Sequence, residues 1–284
     1  GEVVLTGQDF EQVALYLSLK DGSLLREHPF ERPLASAVFA SSGRFAINAG
    51  SDRIGSRDGS REKVRLCTES YARAVTALSE DRFAWVCQDG TLHVGALDGP
   101  RRSLSLDSDQ IDPGAAHQMA VADSEEWLVL LTHRGEFMLI DLERMAIVHQ
   151  VVTGMGTIRA AAFSTDDRVL ALAGEHGGVR LWHRASGVWL GQLPARQVHT
   201  LRFSDPTTLT VLSDTLQQWS IPAQLSPDRV LRSGGFNGTA FSPDGRMLCG
   251  ATAQGEVRVW PISAGTVADE AVFSQRFSSE YIAK

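Results

Sequence analysis

Three aspartates, Asp107, Asp109 and Asp112, are spaced through the stretch LDSDQIDPG (106–114). Carboxylates alternating in a loop are the oxygen donors that a hard cation such as calcium takes. The spacing departs from the helix–loop–helix calcium site, because Ile111 falls where the fifth ligand belongs and Asp112 where that loop needs glycine. Asx turns in a solvated loop explain the same residues. The stretch is therefore a weak candidate cation loop, and no metal is expected. The eight histidines show no zinc-site spacing; His133 and His176 read as exposed turn residues, and His183 as a packed or surface side chain. Cys67, Cys87 and Cys249 are odd in number and without paired spacing. They read as small buried hydrophobes rather than a disulfide or zinc framework, which fits a reducing compartment.

Other chemistry is thin. The sequence contains no GxSxG elbow, no phosphate-binding GxxxxGK and no HExxH. Gly154-Met155-Gly156 begins a dinucleotide-type pattern, but Arg159 stands at the third glycine and no βαβ setting surrounds it, so a flexible turn is expected. Asn237-Gly238-Thr239 matches a glycosylation acceptor formally and reads as a turn. No catalytic residue and no cofactor is expected.

The elements that must position these residues come from a repeat. Residues 162–182 read AFSTDDRVLALAGEHGGVRLW and residues 240–260 read AFSPDGRMLCGATAQGEVRVW. RFSDPTTLTVLSDTLQQW (202–219) is a worn copy between them. Taking the Phe of Phe-Ser as anchor, equivalents fall at Phe39, Leu78, Val121, Phe163, Phe203 and Phe241, with spacings of 39, 43, 42, 40 and 38. A second strand follows each anchor: Arg44–Ala49, Arg82–Cys87, Trp127–Thr132, Arg168–Ala173, Thr208–Leu212 and Arg246–Gly250. Turn residues at fixed offsets between short apolar runs read as successive antiparallel strands. Residues 1–34 fit strands two to four of one more copy, and SEYIAK at the chain's end fits its missing first strand. Seven four-stranded units of about 40.6 residues match the blades of a β-propeller closed by its two termini. Their bounds are 1–34 plus about 278–284, then about 35–70, 71–108, 115–153, 155–195, 196–233 and 235–275, as one domain. The unit at 51–63, SDRIGSRDGSREK, has only Ile54 as an apolar residue and is expected to be a poorly packed outer region or extended loop.

At residues 162–182 and 240–260 the pattern resembles WD40-repeat propellers, and the period carries that likeness along the chain. The family's strand-ending Trp is followed by Asp, whereas here the pairs are Trp182-His183, Trp219-Ser220 and Trp260-Pro261. Tyr16, Gly95 and Ile140 hold the corresponding places elsewhere, and no Gly-His pair occurs. The His–Asp network of the family therefore cannot form in its usual way, and blades should rely on apolar packing.

The resemblance implies a non-catalytic platform that takes a protein or peptide on the face made by second-to-third-strand turns and inter-blade connections. Here that face would present Asp9, Phe10, Arg53, Asp89, His133, Arg134, Glu175, His176, Asp214 and Gln254. The alternative is an enzyme or a small-ligand or metal sensor using the central channel. The expected inner strands (SAVFA, AVTAL, RAAAF, TLRF, NGTAF) are mostly small and apolar, which disfavours it. A net charge of −7 without a basic cluster argues against nucleic acid, and the longest apolar stretch, 127–131, is far too short to span a membrane as a helix. The Ala/Arg/Gly-rich style looks bacterial. The expectation is a cytoplasmic, monomeric module of a larger signalling protein.

Overall fold

The computed structural model describes residues 70–96, 99–176 and 178–221, residues 23, 66–68 and 271, and the strands named below. The chain forms two compact units: Gly1–Pro29 together with Arg159–Lys284, and Phe30–Ile158. β1 (Glu2–Leu5), β2 (Val13–Ser18) and β3 (Leu24–Pro29) form a three-stranded antiparallel sheet. The Phe30–Ile158 unit opens with a similar sheet of β4 (Ser36–Phe39), β5 (Phe45–Asn48) and β6 (Asp52–Gly55). A four-stranded sheet of β7 (Ala72–Ala77), β8 (Arg82–Cys87), β9 (Thr91–Ala96) and β10 (Arg101–Ser105) follows. Next come β11 (Ala116–Val121), β12 (Trp127–Thr132), β13 (Glu136–Asp141) and β14 (Ala146–Val152).

The other unit continues with β15 (Ile158–Phe163), β16 (Val169–Gly174), β17 (Val179–His183) and β18 (Val188–Leu193). A further sheet holds β19 (Thr200–Phe203), β20 (Thr208–Leu212), β21 (Thr215–Ser220) and β22 (Arg229–Arg232). The last is built on β23 (Phe236–Phe241), β24 (Met247–Thr252) and β25 (Glu256–Ser263), with β26 (Thr266–Val267) and β27 (Phe273–Arg276) both pairing with β25. The fold is all-β, with several four-stranded antiparallel sheets of the kind that propeller blades are made of. The second strands fall on the stretches that the repeat marks, β8, β12 and β20 with the same bounds. SEYIAK lies outside the described residues.

Packing explains the near-continuous apolar runs. Leu128, Val129, Leu130 and Leu131 of β12 are all 0 % exposed, because that strand is covered on both faces. One core joins the β7–β10 and β11–β14 sheets through Ala84, Val86, Leu128, Leu130, Met138 and Ile140. A second joins β15–β18 to β19–β22 through Ala171, Leu181, Leu201, Phe203, Val211 and Trp219. Each fully buried Leu or Val side chain contributes about 1.5–3 kcal/mol.

The Phe-Ser signature has a local cause. The Ser164 hydroxyl accepts from the Val169 N–H (2.9 Å) and donates to Asp166 (2.7 Å), closing the turn from β15 to β16. Asp205 does similar work after Ser204, accepting from Thr207 N (2.8 Å) and Thr208 N (2.9 Å). The Ser164 hydrogen bond, foremost, holds the Asp166 carboxyl below the usual carboxylate range.

Three sequence expectations are corrected. Cys67 and Cys87 form a disulfide, with Cα atoms 5.9 Å apart, and both are buried. The cysteine argument for a reducing compartment falls with it, since such bonds persist in oxidising ones. Cys249 is the buried free thiol the reading expected. Part of 51–63 forms strand β6, so Arg53 lies within a strand opposite Ile47 rather than in a turn. Asn237-Gly238-Thr239 lies inside β23, where the register slips between Phe236 and Gly238, and not in a turn. Gly154 and Gly156 do form a connection, both at φ +67°, around a fully buried Met155.

Candidate partner-binding face

In an up-and-down sheet, first-to-second and third-to-fourth turns share one end, while second-to-third turns and sheet-to-sheet connections share the other. In the Phe30–Ile158 unit the two ends differ chemically. At the first, groups from neighbouring sheets satisfy one another: Arg82 pairs with Glu125 (2.5 Å), and the Arg102 guanidinium donates to the carbonyls of Leu142 (3.1 Å) and Glu143 (2.7 Å). At the second, backbone bonds lock the loops and leave side chains outward. Leu106 N–H donates to Gly90 O (2.9 Å), His133 N–H to Ala115 O (3.1 Å), and Thr153 N–H to Gly135 O (3.0 Å). Gly135 sits at φ +78°, and a Cβ there would meet Gly156 O at 2.3 Å, so the turn requires glycine.

On this end Asp89, His133 and Arg134 are exposed. Asp89 accepts from Thr91 N–H (2.9 Å), an Asx turn that fixes its carboxylate. The His133 ring stacks on His117, centroids 4.2 Å apart, and Thr157 donates to the His133 carbonyl (3.0 Å). His117 Nε2 lies 2.8 Å from Ile158 O. Arg134 lies 3.6 Å from Asp112, whose other oxygen accepts from Gly114 N–H (2.9 Å).

Sequence reasoning missed a set of residues that β-bulges place here. The register slips between Ala72 and Ala74 and between Ala116 and Gln118, at the start of two first strands, which lies beside the second-to-third turn. The extra residues are Arg73 and His117. A bulge re-aims a side chain, and here it adds a guanidinium and an imidazole to the face. The Arg73 guanidinium lies 4.9 Å over the Tyr71 ring, and its Nε is buried without a hydrogen-bond acceptor. For Arg73 the available signal was a charged residue between two alanines (ARA), while His117, followed by Gln118, had no such signal.

The Asp107–Asp112 loop does not gather into a ligand set. Asp107 accepts from the Ser105 hydroxyl (2.9 Å), and Asp112 faces Gly114 and Arg134. Among the described residues, no group of three or more His, Cys, Asp or Glu could hold a metal ion.

In the unit containing Arg159–Lys284, the corresponding end carries Glu175, His176 and Asp214, all exposed. Glu175 pairs with Arg159 (3.3 Å). His199, a residue not singled out in the sequence, has a pKa lowered chiefly by burial, with Arg159 adding to the effect and Asp214 opposing it. A cleft of about 460 Å³ opens between the β16–β17 turn and the connection after β18. His183 bonds to Ser186 (2.8 Å) in place of any Asp network. Asp9, Phe10 and Gln254 lie outside the described residues.

With the geometry in hand, comparison with known proteins adds one thing. No family model matches the chain, and no curated protein matches it in sequence. Solved structures do. The computationally designed Ika8 protein superposes with a TM-score of 0.68 at 19% identity, over 96% of this chain and 83% of that one. A chain of the Mitotic Checkpoint Complex superposes with a TM-score of 0.73 at 15% identity, over 92% and 84%. The likeness is one of fold. At such identities no site residue transfers, so the face stands on its own geometry.

Proposed function

We propose that the chain is a WD40-type, seven-bladed propeller, closed by strands from both termini, and that it serves as a non-catalytic interaction module. It takes a protein or peptide partner on the end made by second-to-third-strand turns and sheet-to-sheet connections. The observation that carries this reading is the contrast between the two ends of the Phe30–Ile158 unit. One end ties neighbouring sheets together through Arg82–Glu125 and Arg102, while the other holds Asp89, His133 and Arg134 exposed on loops fixed by backbone hydrogen bonds, with Arg134 3.6 Å from Asp112. Recognition residues on loops held by a rigid scaffold are the usual arrangement of a binding surface. The solved complex among the structural neighbours is consistent with protein partners. The 38–43-residue period and the fit of residues 1–34 to three strands support the closed ring.

The test uses the chain as bait in host lysate beside a variant with Asp89→Lys, Arg134→Glu and His176→Glu. The expected result is a partner, identified by mass spectrometry, that the wild type retains and the folded variant loses. Equal retention by both would remove this face from the proposal.

A further inference from the structure

The cleft beside β18 has a composition that selects a ligand. Its floor is small and apolar, with Ala195 1% exposed and Gly174 and Gly178 giving backbone in place of side chains. Gly178 sits at φ +73°, where a Cβ would meet Leu193 O at 2.3 Å, so the opening depends on glycine. Around the floor stand Glu175, Gln192, Arg196 and Gln197. Glu175 is already paired with Arg159 (3.3 Å). Arg196 is exposed and has no ion-pair partner among the described residues. Gln197 holds φ +50°, a left-handed backbone that non-glycine residues adopt only where their surroundings impose it. The rim therefore offers the Arg196 guanidinium, without an ion-pair partner among the described residues, beside the Gln197 carboxamide, in a volume of about 460 Å³. An arginine fork presents parallel N–H donors that match a carboxylate, and a carboxamide can donate to the same oxygens.

We propose that this cleft receives an aspartate or glutamate side chain from a segment of a protein partner, with Arg196 as its ion-pair partner. The inference rests on the interaction-module reading and names the partner's chemistry. A net charge of −7 repels a small anion and an acidic segment alike, and a segment is favoured because only it can offset that repulsion with further contacts. Contacts beyond the cleft must then bring the carboxylate in.

The experiment selects phage-displayed random heptapeptides on the full chain, on Arg196→Glu and on Arg196→Gln, with melting temperatures confirming that the variants fold. The expected result is wild-type enrichment of peptides with Asp or Glu at a fixed position. Those peptides should bind about 10–100-fold more weakly to both variants, as loss of a charged hydrogen-bond pair implies. Enrichment without a fixed acidic residue, or equal binding to wild type and Arg196→Glu, overturns the cleft assignment. If such peptides are instead lost on Asp89→Lys/Arg134→Glu, the interaction module stands without this cleft. No enrichment at all overturns both.

Discussion

Asp141 shows how much one side chain in this fold can carry. Its carboxylate is 4% exposed, accepts from Arg144 N–H (2.8 Å), and meets the Arg144 guanidinium at 2.6 Å. Burial alone would push its pKa up, but the Arg144 bonds outweigh that and hold it below 3.8. A depressed carboxylate contributes stability that is full above its unfolded pKa and is lost as pH falls through the folded one. Asp166 and Asp205, also depressed, act with the same sign. His93 and His199, lowered chiefly by burial, add to it, because the unfolded chain takes up their protons first as pH falls below 6.5. Asp141→Asn should cost about 2 kcal/mol at pH 7 and almost nothing once the pH is below the folded pKa. Denaturant unfolding of both proteins across that range reads the difference; an equal gap at every pH would mean that charge plays no part. Asp141 was legible in principle, since it follows Ile140, which holds the place of Trp182 and Trp260. Seeking Asp only after tryptophan passed over it.

At the scale of elements, the disulfide is the feature that spacing hid. Cys67 precedes β7 and Cys87 ends β8, 20 residues later. What joins them is the β7–β8 register, which sets Ala72 opposite Cys87, together with the bond from Trp85 Nε1 to Leu66 O (3.0 Å). Neither is visible in a count of three cysteines. Replacing both by serine should cost about 3 kcal/mol, the loop-closure value for such a separation. Native alkylation should leave all three cysteines unlabelled, because Cys67 and Cys87 are bonded to each other and burial pushes the Cys249 thiol up to about 12. Labelling of Cys67 and Cys87 in the folded protein, with an unchanged melting temperature, would contradict the bond. The strands themselves were the legible part, because Phe-Ser turns recur in the sequence, and those after Phe163 and Phe203 are closed by the Ser164 hydroxyl and the Asp205 carboxylate. Register slips were not. The extra residues are Val148 in β14 and Leu190 in β18, which are 45% and 43% exposed. Such bulges also blunt an outer strand against unwanted pairing, so these exposed side chains need no partner.

For the whole molecule, the period foretold the sheets but could only place the face by position. Arg53 was assigned to a turn by its offset and lies in β6, because the sparse apolar content of 51–63 gave no strand boundary to count from. The proposed closure makes a direct demand: deleting residues 278–284 should leave β1 paired on its β2 side alone and lower the melting temperature by more than about 5 °C. An unchanged melting temperature would speak against shared terminal strands. The claim that matters most is that one end of the sheets binds a partner. Hydrogen–deuterium exchange of the chain, free and with the partner retained from lysate, tests it most directly. The expected result is new protection at residues 88–90, 107–115, 133–135 and 153–157, with the Arg82–Glu125 end unchanged. Protection confined to the Arg82–Glu125 end or to the outer strands would contradict it.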